Sequence, residues 1–584
     1  MDNLIAWRAW GEAAFDEARA LKRPILLGIS AVWCHWCHVM DRGEPGHPVH
    51  TGTYRDPEIA ALINARFVPI RVDNDVRPDV NARYNQGGWP TTCFLTPDGQ
   101  VIYGGTYFTP AQMRSLLVQI DRYWQQNGEA LLAEAPDLAI VEKGSAGALD
   151  AGQVVADTLN AIALAYDPRN GGLGDGQKFP MTEAWETLLL GYHQTRDNRL
   201  LESAVHTLIA MGTQGMYDRT EGGWFRYSTT PDFSVPHFEK MLEDHARLLT
   251  LHAHALQTLD GHPGRAAQAA TLRGVVEQAL GYHIGTWLRE RGGLTWFCGS
   301  QDADEAYYTL SRGERAERQA PFIDERLYVE WNAQMACALF ALDEALDRPD
   351  LRALGQRVID TLVRICLRAD GAVLHGATLD AQGGWAPMAL VGALRDQAAL
   401  AQAMLQAGRP REAVLPLFDF AQGALSAEGG GFHDVPLDPA ALGLLKARLR
   451  PIFENAAMAE ALLLAGHLWG EPALVEEARA ALAVFSEQYK RYGSHAGPFA
   501  LAAYRAASEP DEFVVVGAPS ETAPFLRAAG RRYHPWRMMR ALDPAHPQDR
   551  AAIAARGFPL TRLPAAFICR GTACSAPLYE PPSA

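Results

Sequence analysis

The chain has 584 residues, 48% of them hydrophobic and 21% charged, with a formal net charge of −15. That length exceeds one ordinary hydrophobic core, so two or three domains are expected. The acidic balance argues against nucleic acid and anionic membrane as partners, and no apolar run is long enough to cross a bilayer. Eight cysteines are too few for a disulfide scaffold, and Met1-Asp2-Asn3 opens without a basic or apolar signal region, so a cytoplasmic, reducing setting is expected.

In chain order, helical spacing of Ala14, Phe15, Ala18 and Leu21 leads into the apolar run 24–30 and then Cys34-His35-Trp36-Cys37. A second buried strand reads from 67 to 72. Gly87-Gly88-Trp89-Pro90 precedes a third over 92–95, and the turn Pro97-Asp98-Gly99 leads to a fourth over 101–103. Met113, Leu116, Leu117, Ile120 and Trp124 mark a closing helix. Strand, C-x-x-C and helix in that order are how thioredoxin-like folds present a redox pair, so such a domain is expected over residues 1–135. Cys34 is expected to be the exposed attacking thiol at a helix N-terminus, helped by positive charge on His35, with Cys37 the more buried resolving thiol. Pro90, by its place before the third strand, is expected to follow a cis peptide bond and to face the thiols. Other readings stay open. Cys34, Cys37 and His38 spell the c-type haem attachment signature, the same three side chains are a partial zinc set, and the fold is also compatible with an inert scaffold.

After a loose stretch taken as a linker over 136–150, the sequence turns almost wholly helical and repeats. Six glycine-bearing exits (167–174, 218–225, 289–297, 368–375, 427–433 and 491–497) alternate with paired helical stretches joined by short turns. Leu242, Ala246, Leu249, Ala253 and Leu256 form one apolar stripe, as do Leu390, Leu394, Ala398, Ala401 and Leu405. Six hairpins with long connections at one end predict a closed all-α six-hairpin α/α barrel over 151–510, in preference to an open solenoid. Strand signals at 513–517 and 565–568 predict a small C-terminal α/β segment over 511–584, ending in the C-x4-C of Cys569 and Cys574. The expected fold is therefore multidomain: α/β thioredoxin-like, then barrel, then α/β.

Functional residues concentrate on loops held by a rigid scaffold. His237, Glu239, Asp302, Asp304, Trp331, Asn332 and His433 fall on the long connections or at the helix starts beside them, and are expected to line one pocket at the barrel mouth. Tryptophans and carboxylates together suit a saccharide, with His237 and His433 as acid/base candidates. Glu330, His375, Asp434 and Glu454 share the same rim. Cys569 and Cys574 are read in two ways: as a second redox pair packed near the thioredoxin-like domain, able to form a disulfide or exchange one with Cys34, or as two thiols that stay reduced and fill space at a domain contact.

Trp33 to Met40, Gln86 to Pro90, Phe94 to Gly99, Gly104 to Phe108, Lys178-Phe179-Pro180, Val235 to Leu242, Asp302-Ala303-Asp304, Trp331-Asn332 and Cys569 to Cys574 resemble the YyaL-like, spermatogenesis-associated thioredoxin-domain family. The resemblance implies a thioredoxin-like domain fused to a six-hairpin barrel like those of N-acylglucosamine 2-epimerases and glycosidases. This chain departs from the family pattern between Asp73 and Gln86, between Asp304 and Trp331, and after Asn455, where Ala456-Ala457-Met458 stands in place of a Pro-Ser-Gly-Asn run. The functions expected are a thiol–disulfide oxidoreductase with a protein thiol or disulfide partner, a barrel epimerase, isomerase or glycoside-active enzyme with a saccharide ligand, or a non-catalytic binding protein. No cofactor and no metal are expected.

Overall fold

The computed structural model describes residues 4–133, 147–262, 264–380 and 382–582. The chain opening and most of the expected linker, up to residue 146, lie outside them. The N-terminal sheet is built from β1 (Ile25–Ser30), β2 (Val68–Asp73), β3 (Thr91–Leu95) and β4 (Val101–Gly105), in the order β2-β1-β3-β4. β1 runs parallel to β2 and antiparallel to β3. Its apolar run is nearly continuous because helices cover both faces. Leu27 and Ile29 pack on Phe15 and Ala18 of α1 (Glu12–Leu21) and on Val80 and Tyr84 of α4 (Pro78–Tyr84). Leu26 and Phe94 face Met40 of α2 (His35–Arg42), Ile59 and Ile63 of α3 (Pro57–Arg66), and Met113 and Leu117 of α5 (Pro110–Ala133). The Trp89–Pro90 bond is cis, as expected.

Among the described residues, twelve helices then form two concentric sets. The outer set is α6 (Ala151–Ala165), α8 (Asn198–Thr213), α10 (Ala266–Tyr282), α12 (Pro349–Cys366), α14 (Arg411–Phe420) and α16 (Pro472–Ala483). The inner set is α7 (Thr182–Thr195), α9 (Leu242–Leu259), α11 (Val329–Leu346), α13 (Leu394–Gln406), α15 (Ile452–Trp469) and α17 (Gly497–Ala507). Each inner helix touches the next in that order, and α17 returns to α7, so the ring is closed. The sequence explains which helices go inside: α15 is apolar around most of its circumference, with Ala456, Met458, Ala459, Leu462 and Leu463 buried. A helix of that kind must be covered on all sides.

The glycine-rich exits are locked by one recurring device. Asn332, one turn into α11, accepts the Phe297 N–H at 2.8 Å and donates to the Phe297 carbonyl at 3.1 Å. Asn455 does the same for Phe432 at 2.7 and 2.9 Å. In the first two exits a buried lysine does related work: Lys178 pairs with Asp167 at 3.0 Å and Lys240 with Asp218 at 2.9 Å. Residues of the Lys-Phe-Pro and His-Phe-Glu-Lys motifs thus serve the scaffold.

The N-termini of the inner helices point to the thioredoxin-like domain, which caps that mouth. Arg83 bridges to Asp434 at 2.8 Å, Arg326 to Asp73 at 2.8 Å, and His375 Nε2 reaches the Asp75 carbonyl at 2.8 Å. The inner-helix C-termini meet the C-terminal segment, where Gln257 donates to the Gly530 carbonyl at 2.6 Å and Arg537 pairs with Glu344 at 3.1 Å. Its strands are β5 (Asp511–Val516), β6 (Arg537–Leu542), β7 (Ala565–Arg570) and β8 (Ala573–Cys574), ordered β6-β5-β7-β8. β5 is parallel to β6 and antiparallel to β7, with α18 (Pro519–Gly530) crossing between the first two. A cis-proline, Pro564, again precedes the third strand. The segment repeats the N-terminal strand order at the opposite mouth.

That placement corrects one expectation. Cys569 and Cys574 are joined by a disulfide across β7 and β8, so they do pair. They belong to the cap at the other end of the barrel from Cys34, beyond inner helices of up to 18 residues, or about 27 Å at 1.5 Å per residue. Direct exchange with Cys34 is therefore excluded in this arrangement. Among the described residues, no helix is long and apolar enough to cross a membrane.

Candidate functional site

Cys34 caps α2: its Sγ accepts the Cys37 N–H at 3.1 Å, and the two cysteines are joined as a disulfide. Cys34 is only 2% exposed and Cys37 1%, which corrects the expectation of an accessible attacking thiol. The barrel covers them. The His35 N–H, the first donor of the helix, is taken by Glu239 Oε1 at 3.0 Å, and Glu239 is itself held by His237 at 3.3 Å and Arg226 at 3.6 Å. Burial alone would raise the Glu239 pKa, but the adjacent His237 imidazole, then Arg226 and the His35 N–H, hold it below the usual glutamate value. His35 moves the other way from expectation. Burial, then His237, lowers its pKa, so it is a weaker source of positive charge at the helix end than a free imidazole.

His38 is also engaged by the barrel, through Asp302 at 2.8 Å and the Val32 carbonyl at 2.9 Å. The predicted pocket residues therefore separate. His237, Glu239 and Asp302 clasp the C-x-x-C helix. Asp304 is exposed and caps the short helix Glu305–Tyr308 through the Tyr307 N–H. Asn332 is buried and bound to backbone, as described above. His433 is buried beside the mouth, its pKa lowered by burial and by Arg448 and Arg450, while the cavity wall is formed by its neighbour Asp434. Of the predicted pocket set, Trp331 alone lines the cavity.

That cavity, of about 290 Å³, lies between the cap and the inner-helix N-termini. Trp33, Asp75 and Trp89 form its roof. Glu243, Asp244, Trp331, Arg395 and Glu454 form its floor, with Arg226 and His375 at the sides. Arg226 lies 4.1 Å from the Trp33 ring and 5.0 Å from Trp89, bringing cationic and aromatic surfaces together. Three carboxyls are pushed up to about 7. Burial and then Asp73 raise Asp75, burial and then Glu243 raise Asp244, and burial raises Glu454 although Arg395 opposes it from 3.8 Å. Asp75 is bound by the Trp33 indole N–H and the Asn74 amide, both at 2.8 Å. Asp244 and Glu454 are the freer pair. A carboxyl that titrates near neutrality gives and takes protons at physiological pH, which ordinary carboxylates do poorly.

Sequence reading missed Asp75, Arg226, Glu243, Asp244 and Arg395. Glu243 and Asp244 stand in the first turn of α9, where acidic residues have a sufficient structural reason in the helix dipole. Their adjacency directly after the His-Phe-Glu-Lys motif was the available signal.

Residues 1–141 match the family model Thioredox_DsbH, described as "Protein of unknown function, DUF255". The match is confined to this N-terminal region. The chain is also similar to human spermatogenesis-associated protein 20, 31% identical over 347 residues that cover 55% of this chain and 41% of that protein. The uncharacterized protein B0495.5 of Caenorhabditis elegans is 32% identical over 43% of this chain and 36% of its own length. The matches thus span less than half of these relatives, and they bear out the family likeness carried by the motifs. Among solved structures, cellobiose 2-epimerase from Spirochaeta thermophila shares 15% identity at a TM-score of 0.45, covering 61% of this chain and 96% of that one. A D-mannose isomerase shares 12% at 0.43, covering 57% and 84%. The closed ring itself is read from the helix contacts of this chain.

Proposed function

We propose that the chain is an acid–base enzyme acting on a small polyhydroxylated substrate, of the saccharide class, in the cavity under the thioredoxin-like cap. One observation carries this reading: Asp244 and Glu454, both titrating near neutrality, share a tryptophan-walled cavity with Arg226 and Arg395. Aromatic faces stack on sugar rings, the guanidinium groups anchor hydroxyls or a carboxylate, and two carboxyls of matched pKa pass protons in an isomerisation, epimerisation or glycosidic cleavage. His237 and His433, the earlier acid/base candidates, lie outside this wall and have no role in the step.

A thiol–disulfide role is the second reading, favoured by the bonded Cys34–Cys37 pair at a helix start. A folded protein partner is disfavoured, because Glu239, His237 and Asp302 close the approach. Within the main reading the pair braces Trp33, the cavity roof, against the barrel.

A thermal-shift screen of mono- and disaccharides, with product analysis, separates the two. The proposal expects a stabilising sugar whose conversion is lost in Asp244→Asn and Glu454→Gln. Insulin reduction at thioredoxin-like rates, with no sugar bound or converted, would overturn it.

A further inference from the structure

The loop from Gly43 to Gly52, just after the redox helix, has no part in the cavity. Its ends are pressed together: Gly43 and Gly52 have φ of +77° and +89°, and a Cβ on Gly43 would stand 2.5 Å from the Thr51 backbone. Inside the loop the Glu44 N–H donates to the His50 carbonyl at 2.7 Å and the His47 N–H to the Glu44 carbonyl at 3.1 Å. The closure gathers three ligating side chains. One donor atom each from Glu44, His47 and His50 lies within 4.8 Å of the others, and His50 Nδ1 is 3.3 Å from Glu44 Oε2. His35, from inside the C-x-x-C, approaches the other oxygen, with Nε2 3.5 Å from Glu44 Oε1. Beside them the Tyr107 ring packs against His50 at 5.5 Å, and its buried hydroxyl makes no hydrogen bond among the described residues.

We propose that Glu44, His47 and His50 form a binding site for a divalent transition-metal ion of the zinc class, with His35 completing the set. Imidazole nitrogens with one carboxylate suit zinc, nickel or cobalt; calcium and magnesium call for all-oxygen sites. All four side chains are half-buried, so an ion can enter from solvent. The His47 Nδ1 accepts the N–H groups of Val49 at 3.2 Å and His50 at 3.0 Å, which puts a lone pair on that nitrogen. It is the ligating atom, and the metal replaces those two bonds. Ligand distances of about 2.0–2.2 Å require the side chains to draw inward. Tyr107 then gains a partner in a water on the ion. The rival set, Cys34, Cys37 and His38, is closed by the disulfide and by the His38 contacts to Asp302 and Val32.

The test uses the untagged full-length chain, oxidised so that Cys34 and Cys37 stay bonded, stripped with chelator and titrated with zinc against a chromophoric competitor. One equivalent is expected to bind, with affinity falling at least ~10-fold in Glu44→Gln and in His50→Ala. Cobalt is expected to give visible ligand-field absorption that His47→Ala weakens. Circular dichroism without metal checks that each variant folds like the parent. Absence of stoichiometric zinc binding by the parent, which needs no variant, would overturn the site. Zinc binding that survives both substitutions, or that requires reduced Cys34, would overturn it equally.

Discussion

The two caps are built on the same strand order and close opposite mouths of one barrel, yet they differ in what they present to it. The N-terminal cap turns its redox helix and Trp33 onto the inner-helix N-termini and encloses a cavity with three carboxyls near neutrality. The C-terminal cap has no cysteine at its corresponding helix start, where Gly517-Ala518-Pro519 stands, and keeps its disulfide on an edge hairpin with Cys574 exposed. The space beneath it, about 700 Å³, is crossed by satisfied ion pairs such as Arg505–Glu460 and Arg537–Glu344. Shared architecture does not carry shared chemistry. The difference lies in side chains placed on equivalent ends.

The largest expected effect falls on the N-terminal mouth. Asp244→Asn or Glu454→Gln is expected to lower turnover of a converted saccharide by about 10²–10⁴-fold, with a melting temperature at neutral pH no lower than the parent's, since each keeps its volume and removes a buried carboxyl whose ionisation costs stability. At the opposite mouth, Glu460→Gln, a carboxyl of the distal space, is expected to leave turnover within a few-fold. Equal losses at both mouths would erase the contrast.

Next comes the docking of the caps. Arg83 and Asp434 form a bridge with side chains 2% and 9% exposed, so Arg83→Ala leaves an uncompensated buried carboxylate and is expected to cost about 3–5 kcal/mol in denaturant unfolding. Arg537→Ala, at the distal cap, breaks a pair 15% and 25% exposed and is expected to cost less. A reversal of that order would mean that the N-terminal cap is loosely seated.

Proton linkage sharpens the same point. Asp75, 2% exposed, has its pKa raised from 3.8 to about 7, so the folded chain holds a proton that the unfolded chain releases. A raised carboxyl pKa therefore costs stability as pH climbs from about 4 to 7, on the order of a few kcal/mol. Asp75→Asn is expected to flatten that decline, measured by denaturation at several pH values. An unchanged slope would place the titration elsewhere.

The smallest effect is kinetic. After reduction, Cys574 is expected to alkylate at least ~10-fold faster than Cys34, because only Cys574 faces solvent. Mass spectrometry of timed quenches reads this directly. Equal rates would show that the N-terminal cap lifts off readily and would revive a protein partner for the thiols.

Much of the architecture was legible because it depends on local patterns. The stripe from Leu242 to Leu256 became α9 (Leu242–Leu259), and most of the stripe from Leu390 to Leu405 lies on α13 (Leu394–Gln406). The Trp89–Pro90 geometry and the strands around it followed from turn chemistry and apolar runs. The site was less legible because it forms between elements more than 150 residues apart. Glu239 looked like a rim residue until the fold carried it 204 positions back in sequence to the His35 N–H. Asp75 stands in no motif, and its place in the cavity roof depends on the barrel that faces it. Cys34 was expected to be exposed because the motif alone says nothing of what packs on it.

The most direct test of the account follows a saccharide panel by proton and carbon NMR in deuterated water with the parent chain and with Glu454→Gln. The account predicts that at least one sugar exchanges a carbon-bound proton, isomerises or is cleaved by the parent, and is untouched by the variant. A panel left unchanged by the parent, or conversion that persists in Glu454→Gln and Asp244→Asn alike, would contradict it.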